Sequence, residues 1–374
     1  MFGCQTGPRS VPGTFPDHAG SVADAWEERM DHDAVHVLIA SPLEAEFAAR
    51  IAAVDRQLTV LYEPGLLPVP RYPADHSGTP RDLPAADLRR WSDLRQQADV
   101  SFDFDWQDPA AMARNCPRLL WVQGTSAGIG GLLQRTGLDK TALQFTTAAG
   151  VHGRPLAEFA LLGLLYFAKD VPRLTQWKAE RHWQRYASGQ LAGSRALLVG
   201  LGGIGRQMAP LLSAAGIQVT GAGRPGHHYD VAGVTSYVTE PGEFDAALAA
   251  TDALILACPL TEQTQGLIGA PQLALLRRGA VVINVSRGAV IDEAALVAAL
   301  ASGHLGGACL DVFATEPLPA SSPLWDLPNV IISPHSASTA AAENALITDL
   351  FCDNLRRFLD GRPLRNVFDR GAGY

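Results

Sequence analysis

Gly200, Gly202 and Gly205 form a G-x-G-x-x-G run directly after the apolar segment RALLV and at the start of the helix-like stretch GIGRQMAPLLSAAG. Each glycine has a physical reason: one makes a tight turn, one lets the backbone approach a pyrophosphate, and one lets helix and strand pack closely. A helix starting there turns its free N–H groups and positive dipole end towards phosphate. The run therefore predicts a dinucleotide site. An Asp or Glu usually stands about twenty residues further on, accepting from the adenosine ribose hydroxyl. Here that place reads Gly223-Arg224, with His227 and His228 close behind. An acid would repel a 2′-phosphate, whereas an arginine grips one with charge-assisted hydrogen bonds. The expected cofactor is NADP(H), with NAD(H) as the second choice. Stacking of Arg224 on adenine, or a purely solvent-facing arginine, is the alternative reading.

The elements that must hold this loop are legible as short apolar runs bounded by turn residues: RALLVG, IQVTGAG, DALILACP, AVVINVS, GACLDVF and VIISPH. Runs of this kind, separated by helices, call for a parallel sheet covered on both faces. A similar alternation begins earlier, with strands in VHVLIAS, LTVLYE, ADVSFDF and LLWVQG and helical stretches between them. Six prolines lie between Pro64 and Pro84, and a connection this long is either a surface excursion or functional; the former is the expectation. From Pro155 the stretch PLAEFALLGLLYFAKDVP has leucines too frequent for one exposed face, which places it at a domain or subunit junction. A last helix, from about Thr339 to Asp360, should pack back on the first domain. Residues 1–33 lack periodicity and read as a mobile arm.

Bulk properties exclude several classes. The 374 residues suffice for two or three domains. A formal charge of −8 argues against a nucleic-acid or anionic-membrane partner, since each needs a basic face. The cysteines (Cys4, Cys116, Cys258, Cys309, Cys352) are scattered, suggesting neither a disulfide framework nor a metal site. The N-terminal stretch lacks the apolar run of a signal peptide, and Phe159 to Ala168 is too short to span a bilayer. A cytoplasmic protein is expected.

In order along the chain stand WVQGTSAGIGGL, HGRPLAEFAL, VGLGGIG, CPLTEQTQGLIG, INVSRGAVIDEAAL, ACLDVFATEPLP and LPNVIISPHSAS. From about residue 35 to 360 the chain resembles the D-isomer-specific 2-hydroxyacid dehydrogenases, with glyoxylate and hydroxypyruvate reductases among them. The resemblance implies a catalytic trio of Arg287, Glu316 and His335. A guanidinium at Arg287 matches a carboxylate two bonds at a time, which also fixes the neighbouring carbonyl of a 2-oxo acid. His335 would protonate that carbonyl as hydride arrives, because an imidazole titrates near the working pH. Glu316 would face the imidazole and favour its charged form. The resemblance also implies that the backbone around Ser126, Ala127 and Gly128 holds the substrate carboxylate. It implies cofactor contacts at Gly203, Ile204, Cys258, Pro259, Thr264, Val285, Ser286, Asp311 and Ser338, beside Gly200, Gly202, Gly205 and Arg224. Cys258 is not expected to be a redox nucleophile.

The sequence departs from the family pattern at Gly130, where Asp is frequent, and at Phe159, where His is frequent. Formate and phosphite dehydrogenases share the architecture, but the formate enzymes are similar with Gln beside their His, so Glu316 argues against that reading. Nucleotide-sensing corepressors of the same fold are a further alternative, unsupported by any basic or peptide-recruiting segment. The expected architecture is α/β: two doubly wound parallel-sheet domains, a Rossmann cofactor domain (148–336) inserted in a smaller flavodoxin-like substrate domain (34–147 plus 337–374). The helix from Pro155 to Phe167 resembles the family's dimer-forming helix, so a homodimer is expected.

Overall fold

The computed structural model describes residues 34–373, and the arm expected over residues 1–33 lies outside them. The first of two sheets contains β1 (Val35–Ile39), β2 (Leu58–Leu61), β3 (Val100–Phe102), β4 (Trp121–Gln123) and β5 (Gln144–Thr146). Their spatial order is β2-β1-β3-β4-β5, and every neighbouring pair is parallel. This is the flavodoxin-like winding, which reverses direction between β1 and β3. The second sheet contains β6 (Arg195–Val199), β7 (Gln218–Ala222), β8 (Val234–Val238), β9 (Ala253–Leu256), β10 (Val281–Asn284), β11 (Gly307–Leu310) and β12 (Val330–Ile332). It is parallel throughout, in the order β12-β11-β10-β9-β6-β7-β8. The winding reverses between β6 and β9, which opens a crevice at their C-terminal ends where ligands of such sheets sit.

β9 and β11 are buried along their whole length, and β6 and β10 in all but their first residue. That is why they read as unbroken apolar runs. One edge strand of each sheet escaped the sequence reading: β5 has only three residues, and β8 exposes the adjacent polar pair Thr235 and Ser236.

Of helices α1 (Ala45–Ala52), α2 (Ala85–Gln97), α3 (Gly130–Thr136), α4 (Gly153–Ala168), α5 (Val171–Glu180), α6 (Gly203–Ala214), α7 (Glu293–Ala301) and α8 (Glu343–Leu359), all but α5 cover the sheets, while α5 buries none of its residues. α2 was not legible because only Trp91, Leu94 and Arg95 of its thirteen residues are buried, too narrow a stripe to show as a period. Arg95 is tolerated there because it meets the buried Asp105 carboxylate at 2.6 Å.

α8 returns to the first sheet, as expected. Its Ile347, Phe351, Leu355 and Phe358 share one core with Val37, Phe102 and Trp121. Phe351 stacks on Trp121 at 5.1 Å and meets Phe102 edge-on at 5.2 Å, arrangements that aromatic quadrupoles favour. α4 buries Leu156, Ala157, Ala160 and Leu164 in the core of the second sheet, yet Leu162 and Leu165 remain 54% and 39% exposed. Its excess leucines thus form a second, open apolar face.

The proline-rich connection is folded into the first domain. Leu66 and Leu67 enter its core, and Val69 and Thr79 form an antiparallel bridge. The buried Asp75 carboxylate accepts from the Arg71 and Gly78 amides and from the Arg71 guanidinium. His76 reaches within 3.8 Å of the buried Glu343 at the start of α8, which also faces His152 at 3.2 Å. No helix among the described residues is long and apolar enough to cross a membrane.

Candidate active site

The glycine loop follows β6. Gly200 has φ +103°, and a Cβ on it would stand 2.6 Å from the Cys258 amide nitrogen, so only glycine serves. A Cβ on Gly205 would run into the Gly200 carbonyl, whereas one on Gly202 would meet open space. The close-packed turn and the open cradle beside it fit a dinucleotide pyrophosphate held by Gly202, Gly203 and Ile204 at the head of α6. Gly203 itself lies against Gly150, where a Cβ would come 3.1 Å from that amide.

Arg287, Glu316 and His335 come from the C-terminal ends of β10, β11 and β12, three consecutive strands of the sheet. Strands lie about 4.8 Å apart, so the three side chains are brought to one edge although 48 residues separate the first from the last. Asn284, the buried last residue of β10, ties the first turn. Its Oδ1 accepts from the Ser286 amide at 3.0 Å and hydroxyl at 2.7 Å, and its Nδ2 donates to the Arg287 carbonyl at 3.1 Å. The half-buried Arg287 donates through Nη1 to the Ser286 carbonyl at 2.7 Å. Its other end crosses to the first domain, where Cζ lies 3.2 Å from the position of a Cβ on Gly128.

Glu316 is held at both oxygens. Oε1 accepts from the Phe313 amide at 3.0 Å, and Oε2 lies 2.7 Å from Nδ1 of His335. With the Nδ1–H donating to the carboxylate, Nε2 is the ring nitrogen left for a substrate oxygen. His335 has φ +54°, a left-handed conformation that costs a non-glycine residue and is characteristic of functional turns.

That conformation is fixed by Asp311, which is 2% exposed. Its Oδ1 accepts from the Ser333 hydroxyl at 2.6 Å and from the Ser336 and Ala337 amides at 2.9 Å each. Burial raises the Asp311 carboxyl above its usual value, against the opposing pull of these donors and of His335. Asp311, expected as a cofactor contact, clamps the loop that presents His335.

Other expected contacts are placed as follows. The Gly128 amide already donates to Ser126 Oγ at 3.2 Å, so a carboxylate there would share or replace that weak bond; Ala127 is half-buried between them. Thr264 Oγ1 donates to the Pro259 carbonyl at 2.6 Å and accepts from the Thr261 amide at 2.8 Å, which turns its hydroxyl into its own loop. Cys258, Val285 and Ser286 are buried at the ends of β9 and β10, and Ser338 is half-buried beyond His335. Burial pushes the Cys258 thiol up to about 11, in keeping with a packing role. Arg224 is exposed at the end of β7.

The two departures from the family pattern have structural reasons. A Cβ on Gly130 would strike the Gly373 carbonyl of the C-terminal tail, leaving no room for an aspartate. Phe159 packs against the core of the second sheet. Sequence reasoning missed Asn284 and Tyr229. A polar residue closing an apolar strand signals the first; nothing local signals the second, whose ring lies against Gly223.

A doubly wound parallel sheet with a glycine loop at its switch point, facing an Arg/Glu/His edge, defines a dinucleotide-binding oxidoreductase. Residues 161–337 match the family model for the D-isomer specific 2-hydroxyacid dehydrogenase NAD binding domain. Glyoxylate/hydroxypyruvate reductase A from Salmonella newport is 31% identical over 297 residues, 78% of this chain and 93% of that protein. The crystal structure of a D-isomer specific 2-hydroxyacid dehydrogenase from Xanthobacter autotrophicus Py2 in complex with NADPH and MES has TM-score 0.72 at 30% identity, covering 92% of this chain and all of the other. An NADPH-dependent glyoxylate/hydroxypyruvate reductase from Sinorhizobium meliloti, in complex with NADP and sulfate, has TM-score 0.70 at 26% identity over 91% of this chain and all of the other. The chain belongs to the D-isomer specific 2-hydroxyacid dehydrogenase family.

Proposed function

We propose that the protein reduces a small 2-oxo acid to the D-2-hydroxy acid with NADPH, and that Arg287, Glu316 and His335 carry the reaction. The observation that carries this reading is the 2.7 Å contact between His335 Nδ1 and Glu316 Oε2, a positioned acid with its orienting carboxylate. A dinucleotide held by Gly202, Gly203 and Ile204 would supply the hydride. Arg287 binds the substrate carboxylate and carbonyl oxygen opposite the Ser126–Gly128 backbone, which orients the carbonyl carbon. His335 Nε2 gives its proton to the carbonyl oxygen, and Glu316 holds the imidazolium.

We further propose that residues 34–147 plus 337–374 form the substrate domain and 148–336 the cofactor domain, closing on each other to exclude water. The approach of Arg287 to Gly128 across the two supports this. The reading includes a cytoplasmic homodimer through the open face of α4, supported by its exposed Leu162 and Leu165.

NADPH is favoured over NADH because Gly223 stands where the ribose-binding acid is expected and the cationic Arg224 follows it. The test is a panel of glyoxylate, hydroxypyruvate, pyruvate and longer 2-oxo acids, each with NADPH and with NADH, followed by loss of nicotinamide absorbance. Glyoxylate and hydroxypyruvate come first because similar proteins are named for them. Turnover that is lost in His335→Ala is expected; silence across the panel would sink the enzyme reading. Arg224→Ala should raise KM for NADPH far more than for NADH.

A further inference from the structure

The missing acid at position 223 has a physical cause beyond the residue itself. Gly223 follows β7, and its amide donates to the Val238 carbonyl of β8 at 3.1 Å, so the backbone there cannot easily retreat. A Cβ on Gly223 would lie 2.5 Å from Cζ and 2.9 Å from Oη of Tyr229, with Cε2 closer still. Tyr229 is itself held in place. Its ring stacks on Tyr237 of β8 with centroids 6.4 Å apart and planes at 20°, and its hydroxyl oxygen accepts from the Arg224 amide at 2.9 Å. Tyr237 is anchored in turn, its hydroxyl oxygen accepting from the Val231 amide at 2.8 Å.

We propose that Tyr229 is the positioning residue for dinucleotide choice: its ring occupies the volume that a ribose-binding side chain at 223 would need, and its hydroxyl fixes the backbone from which Arg224 reaches the phosphate. The inference rests on the dinucleotide reading above. It assigns selectivity to a three-residue unit, Gly223, Arg224 and Tyr229, in which an acid cannot be installed at 223 while the tyrosine remains. Residues packed this closely act non-additively when altered.

The experiment measures Kd for NADPH and for NADH by nicotinamide fluorescence on the full chain and on Gly223→Asp, Tyr229→Ala, Tyr229→Phe and Gly223→Asp/Tyr229→Ala variants. Gly223→Asp alone is expected to weaken both dinucleotides, because the carboxylate and the ring collide. The double variant is expected to bind NADH roughly tenfold or more tightly than the product of the single effects. Additive effects, or a gain in NADH binding by Gly223→Asp alone, would overturn the proposal. Tyr229→Phe keeps the ring and loses the acceptor, so its ratio of NADPH to NADH affinity should fall; an unchanged ratio removes the role given to the hydroxyl. Arg224→Ala decides the NADPH reading separately. If that variant leaves the ratio unchanged, the phosphate reading fails, while the coupling of Gly223 with Tyr229 still stands or falls on NADH alone.

Discussion

Arg287 carries its guanidinium across the cleft to the backbone of Gly128, with Cζ 3.2 Å from where a β-carbon would stand and a terminal nitrogen nearer still. The two residues belong to different sheets and are 159 positions apart in the chain. The contact makes the absence of a side chain at Gly128 a steric requirement for this placement of Arg287.

Gly128→Ala should therefore displace the guanidinium without disturbing either core, since Gly128 lies on an exposed turn. The expected result is a fall of roughly 10²-fold in kcat/KM for the 2-oxo acid, the scale on which misplaced reacting groups lose rate. Thermal unfolding and dinucleotide Kd should stay near wild type. Steady-state kinetics beside a melting curve tests both halves, and an unaltered kcat/KM would mean that Arg287 does not use this approach.

His335→Ala should lower kcat by roughly 10²–10⁴-fold, the usual contribution of a positioned proton donor. Glu316→Gln keeps the shape and can still accept from the Phe313 amide, so its loss should be smaller. Because the two act as one unit, the double variant should be little worse than His335→Ala. Multiplied losses in the double variant would show that Glu316 works independently of the imidazole.

The 62–84 connection should be acid-labile. The Arg71 guanidinium bonded to Asp75, aided by the Gly78 and Arg71 amides, holds the Asp75 carboxyl well below its ordinary value of 3.8. A carboxyl lowered in the folded state stabilises fully above its ordinary value and loses that contribution as the pH falls towards the folded one. Protection of the amides across residues 69–79, measured as exchange relative to the unfolded chain at the same pH, should be high near neutrality and fall under strongly acidic conditions. Asp75→Asn should be poorly protected at every pH; full protection in that variant would place the anchor elsewhere.

The buried thiols should be inert. Burial pushes Cys258 and Cys352 up to about 11 and Cys116 and Cys309 up to about 12, so the thiolate that reacts is scarce near neutral pH. In a Cys4→Ser variant a thiol reagent should label none of these four cysteines until the protein unfolds. Rapid labelling of Cys258 in the native protein would reopen a redox role for it.

Much of the molecule was legible in the chain because its decisive signals are local. The buried strands β6, β9, β10 and β11 show as apolar runs, since a parallel strand covered on both faces has no polar side to display. The turn at Gly200 shows because only glycine can adopt its backbone. The edge strand β5 did not show because it has only three residues, and β8 and the mostly exposed α2 did not show because little of each is buried and their residues carry no clear period.

By itself the sequence determined the buried parallel-strand character of both sheets, the glycine turn and the residue types at 287, 316 and 335, because these depend on short-range sterics and on the burial of neighbouring side chains. Tertiary structure alone decided which groups meet. It set Arg287 against Gly128, clamped the His335 loop with three bonds to Asp311, and filled the space beside Gly223 with Tyr229. Those relationships depend on strand order and on contacts between distant segments, which no local spacing encodes.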